Sequence, residues 1–329
     1  MPVFVEMCAG AGGLSTGLVR AGFTPLLLVD NNRDCCETLR ANHADAHVMH
    51  TTMEEIKWDA LGITRATNLD LLAGGMPCQS FSQAGTRRGF DDPRGSLLVT
   101  FMNLVQILRP KVFLIENVKG LLSHNSGNTL AWILDQLQQD AHYVVQYKCL
   151  DASKYEVPQK RERVFIVGVR ADIPKQFNFP IPQAHAMTLR GVLDNVPPSP
   201  GATYSPYKLS FFQQIPPGGC WVHLPTVELQ QEYMGASYFS GGGRRGILRR
   251  LSFDEPCLTL LCSPSQKQTE RCHPTETRPL TVREYARIQT FPDTYVFHGG
   301  VASQYKQIGN AVPVVLAEIM GKCILDVIQ

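Results

Sequence analysis

Over its first 120 residues the chain repeats one arrangement: a short continuous apolar run, a turn of glycine or small polar residues, then a segment of helical period. The apolar runs are residues 3–7, 25–29, 69–73 and 112–115, each bounded by Gly, Pro, Asp or Asn, with 163–169 as a further one. Runs this short and unbroken by polar alternation suit strands covered on both faces. Between the first two, residues 14–21 put Leu14, Leu18 and Ala21 on one helical face, with Gly22 placed to stop the helix. Residues 35–42 and 97–108 read as further helices, the second closed by Pro110. Parallel strands need crossovers of that kind, so the expected fold class is α/β, a doubly wound and mostly parallel sheet. Near Pro180 the texture changes to clustered prolines and glycines (NVPPSPG, IPPGG), and helical period returns only at 282–289 and 314–328. The expected division is a larger domain of 1–184 plus 305–329 and a smaller, loop-rich one of 185–304.

Composition narrows the class of protein. With 44% hydrophobic and 18% charged residues among 329, the chain can bury a core, which excludes wholesale disorder. The net charge of +2 names no partner, but residues 1–150 carry 12 basic against 14 acidic groups, and 151–329 carry 19 against 15. A polyanion is therefore expected on the second half. No apolar run approaches the roughly 18–20 residues that span a bilayer, and the opening residues lack the basic and apolar regions of a secretory signal. The ten cysteines include no CxxC pair, and the cluster Cys257, Cys262, Cys272 and His273 fits no standard metal spacing. The expectation is a cytoplasmic protein with free thiols, no membrane and no metal.

Four places carry the chemistry. Ala9-Gly10-Ala11-Gly12-Gly13 links the first strand to the first helix, and Asp30 ends the next strand. Glycines there let the backbone approach a ligand at a helix N-terminus, and the carboxylate can accept from ribose hydroxyls; the alternative is a turn kept for packing. The spacing is not GxGxxG, which argues against NAD. Pro77-Cys78-Gln79 follows the strand at 69–73, where α/β folds place ligands. A buried inert thiol is the alternative, but the polar stretch FSQAGTRRGFDDPRG that follows suits an active-site loop, and Arg87, Arg88 and Arg94 would lower a thiol pKa. Glu116-Asn117-Val118 ends the strand at 112–115, so a carboxyl group would share the sheet edge with Cys78 unless it serves as a cap. A thiol and an acid in one cleft suit nucleophilic addition to a ring that is protonated as it is attacked. In Gln159-Lys160-Arg161-Glu162-Arg163, Arg161 and Arg163 point to the same side of an extended chain, although a charge run can equally be a solvated face.

In order along the chain, AGAGG, GGMPCQSFSQAG, DDPRG, PKVFLIENVKGLLSH, QKRERVFIVG, RPLTVREYARIQTFP and QIGNAVP together resemble the DNA (cytosine-5)-methyltransferases of bacterial restriction–modification systems. The resemblance covers nearly the whole chain except roughly 185–255. It implies a class I, Rossmann-like methyltransferase domain that uses S-adenosylmethionine and releases S-adenosylhomocysteine. The cofactor residues would be Ala9, Gly10, Ala11, Gly12, Gly13, Leu14, Asp30, Asn31, Gly74, Pro77, Asn310 and Ala311. Cys78 would be the nucleophile that attacks C6 of cytosine, Glu116 the acid at N3, and Arg161 the group on the O2 side of the ring, with Arg163 beside it. Residues 185–304 would form the target-recognition domain and hinge. DNA contacts would come from Gln79, Ser82, Arg94, Arg244, Arg245, Arg249, Arg250 and Thr259, the last resembling the Thr of the family's Thr-Leu pair. The implied partner is double-stranded DNA, bound by a monomer in the cytoplasm or nucleoid of a bacterium, with a paired restriction endonuclease.

Three positions depart from the family pattern. Cys8 stands where an aromatic residue is usual beside the glycine turn, Asp30 where Glu is commoner, and the stretch from His50 to Met53 lacks an acid for the adenine amino group. Two other readings share these motifs: a tRNA cytosine-5 methyltransferase, and a silent DNA-binding homologue. The complete set Cys78, Glu116 and Arg161 argues against silence, and the Arg-bearing insert favours DNA.

Overall fold

The computed structural model describes residues 1–76, 96–139, 142–239, 246–266 and 270–329. They form two compact units, one of residues 1–151, 162–182 and 314–329, the other of 152–161 and 183–313. The second unit thus takes 152–161 and 305–313, which the sequence division gave to the first.

The first unit is a seven-stranded sheet. Its strands are β1 (Val3–Met7), β2 (Thr24–Asp30), β3 (His47–His50), β4 (Leu71–Gly75), β5 (Val112–Val118), β6 (Tyr143–Asp151) and β8 (Glu162–Arg170). The order across the sheet is β3-β2-β1-β4-β5-β8-β6. β3, β2, β1, β4 and β5 pair in parallel, whereas β8 runs antiparallel to both β5 and β6. The apolar runs became the covered strands: Phe4, Leu28, Leu71, Val112, Phe113, Ile115, Phe165 and Ile166 are fully or almost fully buried. Helices α1 (Gly13–Ala21), α2 (Arg33–Asn42), α3 (Ser96–Leu108) and α4 (Asn128–Gln139) pack with the sheet. A further helix, Val314–Ile328, returns to this unit and lies along α1. The contact is close because Gly17 has no side chain: a Cβ there would stand 2.4 Å from Ala317 Cβ and 2.5 Å from the Val314 carbonyl.

The chain leaves β1 for β2 on one side and reaches β4 on the other. That reversal opens a crevice at the carboxyl ends of β1 and β4, where Met7 is level with Gly74.

The second unit holds the short pair β7 (Gln159–Lys160) and β9 (Cys257–Leu258). Its helices are α5 (Pro206–Phe212), α6 (Val227–Met234), α7 (Val282–Ile288) and α8 (Val301–Asn310), and the return helix Val314–Ile328 is α9. Phe211, Phe212, Ile215, Leu224, Tyr233, Met234, Ile247, Leu248 and Cys272 form a core of its own. No helix among the described residues is long and apolar enough to cross a membrane.

Candidate active site

The glycine turn and Asp30 are one assembly. Gly10 and Gly12 adopt left-handed backbone angles (φ 56° and 78°), which only glycine takes without strain. The Gly10 amide donates to Asp30 Oδ2 at 2.8 Å, and the Asn32 amide to Oδ1 at 2.8 Å. Two amides therefore orient the carboxylate at the end of β2 and leave it lone pairs for a ligand. Burial raises the Asp30 pKa, and the Asn32 and Gly10 amides oppose that rise. Among the described residues, a Cβ on Gly10 would meet no atom within 4 Å. Ala9, Ala11 and Leu14 are buried, and Leu14 uses its side chain for packing. Asn31 is exposed, and its carbonyl meets a ring nitrogen of His50 at 3.1 Å.

Cys8 pays for its place with a left-handed backbone (φ 53°), a strain of roughly 1 kcal/mol or more for a residue with a side chain. Burial, reinforced by the charge of Asp30, pushes its thiol up to about 12, so it stays neutral. Behind the turn, Glu6 on β1 is fully buried and accepts a hydrogen bond from the Ser15 hydroxyl of α1. Burial lifts the Glu6 pKa from 4.5 to about 8, the Ser15 hydrogen bond works against the lift, and the charges of Asp30 and Glu116 add to it.

Glu116 sits near the carboxyl end of β5, level with Gly75 on β4. A Cβ on Gly75 would lie 3.3 Å from Glu116 Oε2, so the glycine makes room for the carboxylate. Arg163 enters from the antiparallel strand β8 and brings Nε to 2.9 Å from Glu116 Oε1, with both side chains about nine-tenths buried. Next in the chain, Asn117 donates from Nδ2 to the Met76 carbonyl at 3.2 Å and accepts from the Val118 amide at 2.8 Å. Met76 is the last described residue before Pro77-Cys78. Asn117 thus holds the Met76 carbonyl, a contact that sequence reading did not foresee although the residue lay inside the ENV stretch. Gly74 lies buried in the same strand end, where a Cβ would meet Met76, Met7 and Phe101 at about 3 Å.

Arg161 does not join this pair. It is fully buried in the second unit and donates from Nη1 to the Leu260 carbonyl at 3.1 Å. Its Nη2 reaches the Gly309 and Ala311 carbonyls at 2.9 and 3.0 Å. Gln289 donates to the Ile308 and Ala311 carbonyls, and Gln159 bridges Gln289 and the Leu260 amide. QKRER, the Thr-Leu pair, RIQTF and QIGNAV are therefore wired together as a structural hub, and Arg161 is a strut rather than a ring contact. Asn310 is exposed, and its side-chain oxygen accepts from the Cys262 thiol at 3.1 Å.

Arg250 is also corrected. It is 4% exposed and donates to the Ile215, His273, Glu276 and Phe212 carbonyls and to Thr277 Oγ1, so it braces the fold and cannot read a base. Arg249 is half-buried, with Nη2 3.2 Å from the Glu255 carboxylate, and the Thr259 hydroxyl donates to the Lys160 carbonyl at 2.7 Å. Pro77, Cys78, Gln79, Ser82, Arg87, Arg88, Arg94, Arg244 and Arg245 lie outside the described residues. Of the cysteine–histidine cluster, Cys257 and Cys272 are buried thiols pushed up to about 12 and 11 by burial, and His273 Nδ1 meets the Glu276 amide. No group of three or more His, Cys, Asp or Glu side chains among the described residues could hold a metal ion.

The family model for the C-5 cytosine-specific DNA methylases matches residues 3–326. The chain belongs to the C-5 cytosine-specific DNA methylase family. It is 48% identical over 324 residues to the type II methyltransferase M.Sau96I of Staphylococcus aureus, spanning 97% of this chain and 75% of that one. To M.Eco47II of Escherichia coli it is 45% identical over 334 residues, spanning 99% and 79%. The fold matches the crystal structure of a Spodoptera frugiperda DNMT2 variant with a TM-score of 0.70 at 15% identity, covering 99% of this chain and all of that one. The methylase is accordingly a DNA cytosine-5 methyltransferase of the type II restriction–modification kind.

Proposed function

We propose that the methylase flips a cytosine out of double-stranded DNA and methylates it through a covalent adduct with Cys78. S-adenosylmethionine would supply an electrophilic methyl group, held by the turn at Ala9–Gly13, by the Asp30 carboxylate and by main chain near Gly74. The absence of any described atom within 4 Å of a Cβ on Gly10 and the free lone pairs of Asp30 fit a ligand with a ribose there. The family pattern adds Pro77, Asn310 and Ala311 to that set.

Ring carbon C5 of cytosine is a poor nucleophile. Attack of the Cys78 thiolate at C6, with a proton delivered to N3 by Glu116, turns C5 into an enamine carbon that can take a methyl group. Loss of the C5 proton to solvent then expels Cys78 as a thiolate, and N3 returns its proton to Glu116, which restores the neutral aromatic ring. Glu116 must hold a proton for N3 at that moment. Arg163 contacts its Oε1, and Arg163 rather than Arg161 is assigned to orient the acid and the O2 side of the ring. Asn117 would fix the Met76 carbonyl and so set the chain entering Pro77-Cys78. Burial raises the thiol pKa of Cys36, Cys257, Cys272 and the part-buried Cys8, and the family pattern gives the nucleophile's part to Cys78.

The target base lies inside the duplex stack, so extrusion costs roughly a few kcal/mol. The second unit would read the sequence. With Arg250 withdrawn, Arg244 and Arg245 are the leading candidates for guanine or phosphate contacts, with Gln79, Ser82, Arg94, Arg249 and Thr259 as further contacts. The protein would act as a monomer in a bacterial cytoplasm or nucleoid, protecting DNA from a paired endonuclease.

The observation that carries this reading is the buried Glu116–Arg163 pair standing where Asn117 anchors the residue two before Cys78. The test offers methyl-labelled S-adenosylmethionine with unmethylated duplex DNA or bulk tRNA, beside Cys78→Ala. The expected product is 5-methyldeoxycytidine from DNA only, lost in the variant. Label in tRNA would instead make residues 183–313 an RNA-reading unit.

A further inference from the structure

The second unit encloses two arginines whose charge the described residues do not balance. Arg271 is 5% exposed and donates from Nη1 to the Glu270 carbonyl at 2.8 Å and from Nη2 to the Thr259 carbonyl at 3.3 Å. Main-chain carbonyls satisfy those N–H groups but carry no charge. The Glu270 carboxylate beside it in the chain is taken up by Lys208 at 2.7 Å, by the Tyr233 hydroxyl and by the Leu248 amide. Arg249 has one ion pair, from Nη2 to Glu255 at 3.2 Å. Among the described residues, two guanidinium groups therefore share one carboxylate.

Three polar atoms of this cluster are buried without a hydrogen-bond partner among the described residues: Arg271 Nε, Arg249 Nε and Tyr285 Oη. Their groups are close enough to act on one another electrostatically and on Cys257, all within the second unit. Tyr285 on α7 and Cys257 on β9 are fully buried. Burial pushes the Cys257 thiol up to about 12 against the pull of Arg271 and Arg249, and burial also raises the Tyr285 phenol. Neither group therefore supplies a negative charge, whereas a guanidinium keeps its own. Buried donors are almost always paired, and a buried charge needs a counter-charge. A water molecule would accept from the donors and leave the charge standing. A divalent anion would overshoot a single missing charge, and the burial of Tyr285 and Arg271 shuts out a phosphate of the DNA backbone.

We propose that Arg271 Nε, Arg249 Nε and the Tyr285 hydroxyl form a closed site for a small inorganic monoanion of the chloride class inside the second unit. The ion would accept from all three donors, balance Arg271, and tie α7 to the segments that carry Arg249 and Arg271. It would take no part in methyl transfer. Its effect is on stability, because an ion that binds only the folded chain stabilises it by mass action.

The test uses the whole protein without DNA, at constant ionic strength, with chloride raised from about 1 to about 300 mM in place of gluconate, an anion too large for a closed site. The unfolding midpoint is expected to rise roughly 2–4 °C for each tenfold increase in chloride once the site fills, with bromide acting alike and gluconate not at all. Arg271→Met should abolish this dependence. Tyr285→Phe removes one donor and keeps the ring, so it serves even where the arginine variant fails to fold, and it should need roughly tenfold more chloride for the same rise. Crystals grown in bromide should show an anomalous peak within about 3.5 Å of Arg271 Nε and Tyr285 Oη. Equal midpoints in chloride and gluconate, or water alone at that position, would overturn the site. A chloride dependence unchanged in Tyr285→Phe would place the ion elsewhere and overturn it equally.

Discussion

Two arginines two residues apart have opposite roles. Arg163 meets a carboxylate at 2.9 Å on a strand end, whereas Arg161 donates to the main-chain carbonyls of Leu260, Gly309 and Ala311. Arg163→Ala should lower kcat, and it should lower the unfolding midpoint as well, because a largely buried carboxylate loses its counter-charge. Arg161→Met should lower the midpoint because three buried carbonyls lose their donor at about 1–3 kcal/mol each, a loss that urea unfolding reads directly. Glu116→Gln keeps the shape but cannot cycle a proton, so kcat should fall roughly 10²–10⁴-fold while DNA binding holds, as single-turnover assays would measure. Spacing predicted that Arg161 and Arg163 would act together. It missed the difference because the partners that claim Arg161 lie at 260, 309 and 311, and no local pattern records contacts so remote in sequence. Glu6 carries a pH signature. Its folded pKa is raised to about 8 from 4.5, so the folded state binds the extra proton between those values and stability falls as pH climbs through that window. The change is on the order of a few kcal/mol, and Glu6→Gln should flatten it in urea titrations at pH 5, 7 and 9. Equal slopes in both proteins would remove Glu6 as the source.

At the scale of elements, what was legible follows burial. The strands β1, β2, β4, β5 and β8 were readable because both faces are covered and the residues are continuously apolar. The edge strands β3 and β6 were not. Tyr143–Asp151 reads YVVQYKCLD, with Val144 and Tyr147 exposed, since a strand with one free edge need not be apolar throughout. The antiparallel course of β8 was equally hidden, because direction depends on the connection through 152–161 and not on the strand's own residues. In the second unit α5 and α6 went unread: they are seven and eight residues long and α5 lies among clustered prolines and glycines, with Pro206 in its first turn. The packing of α1 on α9 gives an element-scale test. Gly17→Ala would gain about 1 kcal/mol of helix propensity but must separate Ala317 and the Val314 carbonyl from the new methyl group. Overpacking of that kind costs about 1–3 kcal/mol, so a net loss of thermal stability is expected, and a raised melting temperature would contradict the close approach.

For the whole molecule, the sheet brings the turn after β1, the end of β4 and Glu116 on β5 to one edge, although their motifs are spread over more than 100 residues of sequence. The second unit keeps its own core and uses Arg250, Arg161 and Gln289 to hold itself together. The central claim is that Cys78 adds to C6 of a cytosine in DNA before the methyl group moves. Duplex DNA made with 5-fluorodeoxycytidine tests it most directly, because fluorine at C5 cannot leave as a proton does and the adduct stays closed. With S-adenosylmethionine present, the expected result is a protein–DNA complex that survives denaturant, with peptide mass spectrometry placing the nucleotide on Cys78. Methyl transfer to ordinary DNA without any such complex, or an adduct on another residue, would contradict the mechanism.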